Sequence, residues 1–97
     1  NKIISYISFA KKSRTLITGQ TSIKRARQHI NIILVCNTAS DNLKNLAKNV
    51  AVKNNCPYII TKPLLEDLTK IKDVKIIAIL DENLANGIIN ERESIEI

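Results

Sequence analysis

Residues 32–55 read IILVCNTASDNLKNLAKNVAVKNN, and this stretch decides the fold. Ile32, Ile33, Leu34, Val35 and Cys36 form an apolar run with no polar interruption. A strand with one wet face alternates apolar and polar positions, so an unbroken run marks a strand covered on both faces. Ser40 or Asp41 then supplies an N-cap, and the apolar period changes from there to about residue 55. Leu43, Leu46, Ala47 and Val50 recur at helical spacing, while Lys44, Asn45, Lys48 and Asn49 fall on the opposite side. A doubly covered strand joined to an amphipathic helix points to a layered α/β fold.

The alternation continues outward in both directions. Upstream, Ile3, Ile4, Ile7 and Ala10 predict an amphipathic helix over 2–13. Residues 15–18 are β-branched and short, a strand stopped by Gly19. Thr21 or Ser22 is positioned to cap a second helix running to about residue 29, with Ile23, Ala26 and Ile30 inward. Downstream, Pro57 opens a strand over 58–60, and Pro63 suits the first turn of a fourth helix whose buried stripe is Leu64, Leu68 and Ile71. Residues 74–80 form a second apolar strand. Asp81 and Glu82 start a last helix carrying Leu84, Ala85, Ile88 and Ile89 inward. Residues 91–97 read as an acidic, frayed tail. The prediction is one domain over 1–90, a three-layer α/β/α sandwich on a small mixed sheet of about four strands with helices on both faces.

Composition bounds the function. The chain is 44% hydrophobic and 25% charged, which excludes wholesale disorder. Cys36 and Cys56 stand 20 positions apart without a CxxC pair, and His29 is the single histidine, so both thiols read as structural and no metal site is expected. There is no signal-peptide pattern, and the apolar runs fall far short of the roughly 20 residues a membrane span requires. A cytoplasmic protein without a membrane partner is expected. The net charge of +6 is unevenly spread. Residues 1–62 hold eleven basic side chains and one acidic, Asp41, a balance of +10; residues 63–97 hold four basic and eight acidic, a balance of −4. Such segregation is the electrostatic footprint of a phosphate-backbone binder.

Catalysis finds little support. A hydrolytic triad needs a nucleophile, a base and an orienter, and His29 has no partners of that kind nearby in the sequence. Gly19 and Gly87 are the two glycines, so neither GxGxxG nor a P-loop exists. The adjacent acids Asp81 and Glu82 read as a helix start. No enzyme activity, cofactor or small-molecule substrate is expected. The segment Gly19, Gln20, Thr21, Ser22, Ile23, Lys24, Arg25 is different, because it joins a strand to a helix N-terminus where free amides attract phosphate oxygens. Gln20, Thr21 and Ser22 offer neutral donors and acceptors. Lys24, Arg25 and Arg27 supply charge, with Arg14 upstream, and arginine can also contact guanine edges in a bidentate fashion.

Residues 8–19, SFAKKSRTLITG, resemble the GLAxRAGKLVSG opening of bacterial YlxQ-like proteins, members of the ribosomal protein L-seven-Ae superfamily of kink-turn RNA binders. Residues 32–40, IILVCNTAS, resemble that family's LVLIAEDAS, and residues 74–85, VKIIAILDENLA, resemble its RVVVAVLDEGFA. Pro57 and Tyr58 fall where the family has VPY, so the likeness covers about residues 3–90. The resemblance implies an α/β/α sandwich and an RNA site at the junction after the first short strand, where strong binders carry Gly-x-Asn-Glu-x-x-Lys. Here that region is Gly19, Gln20, Thr21, Ser22 and Lys24 or Arg25. The resemblance also implies a second loop before the fourth helix, corresponding to Thr61, Lys62, Pro63, Leu64 and Leu65. No Asn-Glu pair follows Gly19, and Glu66, Asp67, Leu68 and Thr69 lack the glycine that the family has at that point of the second loop. Loss of the guanine-reading pair weakens discrimination and leaves phosphate attraction intact. The expected partner is therefore a kink-turn, an internal loop or ribosomal RNA, on or off the ribosome. Alternatives are a protein-interaction module of the same fold, or a detached RNA-binding domain of a ribosomal RNA methyltransferase.

Overall fold

The computed structural model describes residues 2–97. In chain order the elements are α1 (Lys2–Lys12), β1 (Leu16–Thr18), α2 (Gln20–Lys24), β2 (Ile32–Cys36), α3 (Asp41–Asn54), β3 (Tyr58–Thr61), α4 (Leu65–Thr69), β4 (Ile76–Ile79), α5 (Glu82–Asn90) and a 3-10 turn (Arg92–Ser94). The sheet runs β1-β4-β2-β3 and is mixed: β2 pairs with β3 in parallel, and β4 is antiparallel to both β1 and β2.

Burial follows strand position. The inner strands β2 and β4 are buried at every residue, and these are the two unbroken apolar runs of the sequence. Edge strands β1 and β3 are only partly covered. Alternate residues of each inner strand feed opposite cores, as the two-residue period demands. Ile32, Leu34, Cys36, Ile77 and Ile79 pack with α1, α4 and α5 on one face. Ile33, Val35, Ile76 and Ala78 pack with Ile23 of α2 and Ala47 and Ala51 of α3 on the other. The molecule is thus the three-layer α/β/α sandwich that the alternation predicts. On α3 the small residues Ala47 and Ala51 make the closest approach, and Leu43, Leu46 and Val50 flank them half-buried. Ser40 caps this helix by accepting the Leu43 amide at 3.2 Å, and Asp81 does the same for Leu84 of α5 at 2.9 Å.

Four expectations need correction. First, α2 is a single turn ending at Lys24, and Gly19 precedes it without any side-chain cap. Lys24 and Arg27 would sit one turn apart on a longer helix and repel. The Ile30 amide, moreover, finds a tertiary acceptor, donating to Asn54 Oδ1 at 3.1 Å. Residues 26–31 therefore run without helix, and Ile30 still reaches the core. Second, Pro63 lies outside α4: Leu64 is the N-cap, and Leu65 rather than Leu64 joins Leu68 in the core. Third, the second apolar strand covers Ile76–Ile79 rather than 74–80; just outside it the Lys75 carbonyl accepts the Cys36 amide at 2.8 Å and the Leu80 amide donates to the Thr15 carbonyl at 2.9 Å.

Fourth, residues 91–97 are not frayed. Ile95 is fully buried among α1, α4 and α5, and Glu96 bridges Thr61 in antiparallel fashion. The Lys62 amide donates to the Ile95 carbonyl at 2.7 Å and the Ile97 amide to Ile60 at 3.1 Å. Arg92 pairs with Glu96 across one turn. One apolar anchor and these backbone bonds outweigh the acidic composition that suggested fraying.

Candidate nucleic-acid interface

One end of the sheet gathers the polar connections. There β1, β2 and β3 finish and β4 begins, as the pairs Thr18 with Ile77, Val35 with Ile76 and Cys36 with Thr61 fix. Gly19 leaves β1 at φ 85°, ψ 150°, a region open essentially to glycine alone. It is held from both sides. Its amide donates to the Ile76 carbonyl at 3.2 Å, and its carbonyl accepts the Ile23 amide at 3.1 Å. Ile23, buried beneath, pins the turn, so Gln20, Thr21, Ser22, Lys24 and Arg25 stand exposed around one buried anchor. A helix of five residues aligns few peptide dipoles, so attraction for an anion here rests on side-chain charge.

This junction shares a groove of about 460 Å³ with Ser40 and the turn leading into β4, whose Lys72, Asp73 and Lys75 line its far side. Lys75 Nζ donates to Thr38 Oγ1 at 3.0 Å, and Thr38 Oγ1 in turn lies 3.0 Å from Cys36 Sγ. Burial acts to raise the Cys36 thiol. The Thr38 hydroxyl and amide, the Leu65 amide and the Lys75 charge together pull it below its ordinary value.

The loop from β3 to α4 lies at the same end and is clamped by Asn37. The Asn37 amide donates to Thr61 O at 3.2 Å, and its Nδ2 donates to the carbonyls of Thr61 and Lys62 at 2.7 Å each. Thr61 Oγ1 closes the turn onto the Pro63 carbonyl at 3.0 Å. Lys62 and Leu64 are left exposed, with Pro63 half-buried between them.

The structure thus brings Gly19, Gln20, Thr21, Ser22, Lys24 and Arg25 to the same end of the sheet as Lys62, Pro63 and Leu64. It does not bring Arg14, which precedes β1 at the opposite end, with the three strand residues Leu16–Thr18, roughly 10 Å of strand, between it and Gly19. Arg27 lies beyond α2, in a separate groove with the last turn of α3. Sequence reasoning passed over Lys72, Lys75, Thr38 and Asn37. The two lysines sit in the acidic half of the chain, where only the antiparallel return of β4 shows that they face Gly19. Among the described residues no group of three or more His, Cys, Asp or Glu side chains converges as a metal site does, and no helix is long and apolar enough to cross a membrane.

No protein-family model matches the chain, and no curated protein matches its sequence. In shape it is similar to the structure of a protein with unknown function from Bacillus halodurans C, with a TM-score of 0.78 over 95% of this chain and 97% of that one. The two are 13% identical, and the likeness establishes a shared small α/β sandwich fold.

Proposed function

We propose that this chain is an RNA-binding protein of the cytoplasm, without catalytic activity, that grips a kink-turn or internal loop at the end of the sheet built from residues 19–25. The observation that carries the reading is the groove in which exposed Gly19 and Gln20 face Lys72, Asp73 and Lys75, with exposed Lys24 and Arg25 a few residues on in the chain and Lys62 at the same end of the sheet. Neutral hydrogen-bonding groups share this end of the sheet with cations that outnumber the single carboxylate of Asp73, a combination suited to base edges and phosphates together. RNA kinks and internal loops expose unstacked bases in a form that a short protein turn can reach. The family resemblance of residues 8–19, 32–40 and 74–85 supports the same reading and suggests ribosomal RNA or another ribonucleoprotein as the setting.

The test is affinity for a kink-turn RNA beside the same RNA with its G·A pairs changed to Watson–Crick pairs, each at two salt concentrations. Preference for the intact kink supports specific recognition through Gln20, Thr21 and Ser22 in place of the missing Asn-Glu pair. Equal, salt-sensitive binding to both reduces the site to a general RNA surface. Lys24→Ala with Arg25→Ala should weaken binding and flatten the salt dependence by about one unit of slope for each phosphate no longer neutralised. Unchanged affinity in that variant removes the site.

A further inference from the structure

The charge segregation of the sequence becomes a segregation between layers of the sandwich. The α2–α3 layer, residues 20–55, carries Lys24, Arg25, Arg27, Lys44, Lys48 and Lys53 against Asp41 alone. The layer of α1, α4, α5 and the 3-10 turn carries Glu66, Asp67, Glu82, Glu91 and Glu93 among its cations. Both ion pairs among the described residues, Lys2 with Glu91 and Arg92 with Glu96, lie on that second layer. Among the described residues no ion pair lies on the α2–α3 layer, where Lys24, Arg25, Arg27, Lys48 and Lys53 are exposed and Lys44 is half-buried. Asp41 sits in the first turn of α3, about 18 Å along the helix from Lys53.

Within this layer residues 24–30 and the last turns of α3 enclose a groove of about 510 Å³. Lys24, Arg27, His29 and Lys53 line it, Asn54 and Val50 contribute to its wall, and no acidic side chain does. Lys24 belongs both to this groove and to the exposed edge of the sheet-end junction, so the positive charge is continuous from one to the other.

We infer that the α2–α3 face is a second RNA contact, a track for the phosphate backbone of the stem that leaves the sheet-end junction. The inference rests on the RNA-binding reading above and adds where the RNA goes next. A phosphodiester backbone presents a row of charges, and Lys24, Arg27 and Lys53 line one groove that can meet more than one of them. Arg27 offers a planar fork of donors suited to phosphate oxygens, while Asn54 holds the groove wall by accepting the Ile30 amide and donating to the Val50 carbonyl. Continuity with the junction favours a nucleic-acid stem over an acidic protein, for which the two regions would have no reason to connect.

The experiment compares two kink-turn RNAs that differ only in one stem, about 4 against about 12 base pairs, bound to the wild-type chain, to Arg27→Ala/Lys53→Ala and to Lys2→Ala/Lys12→Ala. All four substituted side chains are exposed, so the variants keep the fold. The wild type is expected to bind the longer stem about tenfold more tightly. Arg27→Ala/Lys53→Ala should abolish that preference, with a salt slope lower by one to two units on the long stem, and keep short-stem affinity within about twofold. Lys2→Ala/Lys12→Ala, which removes the same charge from the other layer, should behave as wild type. Equal wild-type affinity for both stems overturns the inference and leaves the RNA reading standing. Equal weakening in both variants also overturns it, in favour of net charge or of an acidic protein partner for this face. Failure of the wild type to bind either RNA removes the RNA reading itself.

Discussion

Gly19→Ala isolates the backbone of the sheet-end junction. A Cβ built at this position meets nothing within 4 Å, so no steric clash with neighbours enters the result. The cost is conformational. At φ 85°, ψ 150° an L-residue is strained by about 1–3 kcal/mol. Alanine also restricts the unfolded chain, which returns about 0.4–1 kcal/mol. Relaxation to negative φ is the remaining escape, and it sacrifices the bond to Ile76 at 3.2 Å or the one from Ile23 at 3.1 Å, each about 0.5–1.5 kcal/mol. The routes converge on a net destabilisation of about 1–2 kcal/mol, or a Tm lower by about 5–15 °C for a domain of this size. Urea unfolding followed by far-ultraviolet circular dichroism reads the effect directly. RNA affinity should fall as well, because Gln20, Thr21 and Ser22 turn with residue 19. A variant within about 0.3 kcal/mol of wild type, against the usual scatter of surface substitutions, refutes the pinned junction.

Ile95→Ala should cost about 2–5 kcal/mol, as deletion of a fully buried branched side chain does, whereas a frayed tail would show almost nothing in the same unfolding assay. Ser40→Ala and Asp81→Ala each remove one N-cap bond and should each lower stability by about 1 kcal/mol, with Ser40→Gly recovering most of the deficit at its site. Burial pushes the Cys56 thiol up, so the folded chain holds that proton more tightly than the unfolded one. The contribution is complete below the unfolded thiol's pKa and is lost as pH rises through the folded one. Cys36, displaced downward, acts in the opposite sense, so the measurement is the difference between wild type and Cys56→Ala in urea at pH 7 and pH 10. That difference should shrink at the higher pH; constancy refutes it.

The layers were legible because β2 and β4 are apolar at every position, a signal that survives any uncertainty in their ends. The second helix was legible only as a pattern. Ile23 and Ile30 do both point inward, at a spacing that suits a continuous helix, but the Asn54 side chain that receives the Ile30 amide is 24 positions away. Ile95 was hidden for a similar reason: among Glu91, Glu93 and Glu96 a lone isoleucine carries no periodicity, and its cavity is made by three other helices. At the candidate interface, segment 19–25 stood out through composition and its place after a strand. Lys72 and Lys75 did not, since their proximity to Gly19 depends on β4 returning antiparallel beside β1. Arg14 shows the converse, a cation five residues from Gly19 in sequence and on the opposite end of the strand in space.

The segment at residues 95–97 also settles how this sheet avoids its neighbours in a crowded solution. An open edge offers unpaired amides and carbonyls to any other chain, and β3, Tyr58–Thr61, is apolar and β-branched enough to template such pairing. Self-pairing through Thr61 and Glu96 occupies part of that edge with the molecule's own backbone. The other edge is β1, only three residues long and bounded by the positive-φ residues Arg14 and Gly19, which is too brief to seed a ladder. Shortening the chain before residue 95 would therefore uncover the stickier border as well as remove the Ile95 anchor: turbidity and fibril-like β signal should rise further than in Ile95→Ala, which keeps the edge covered.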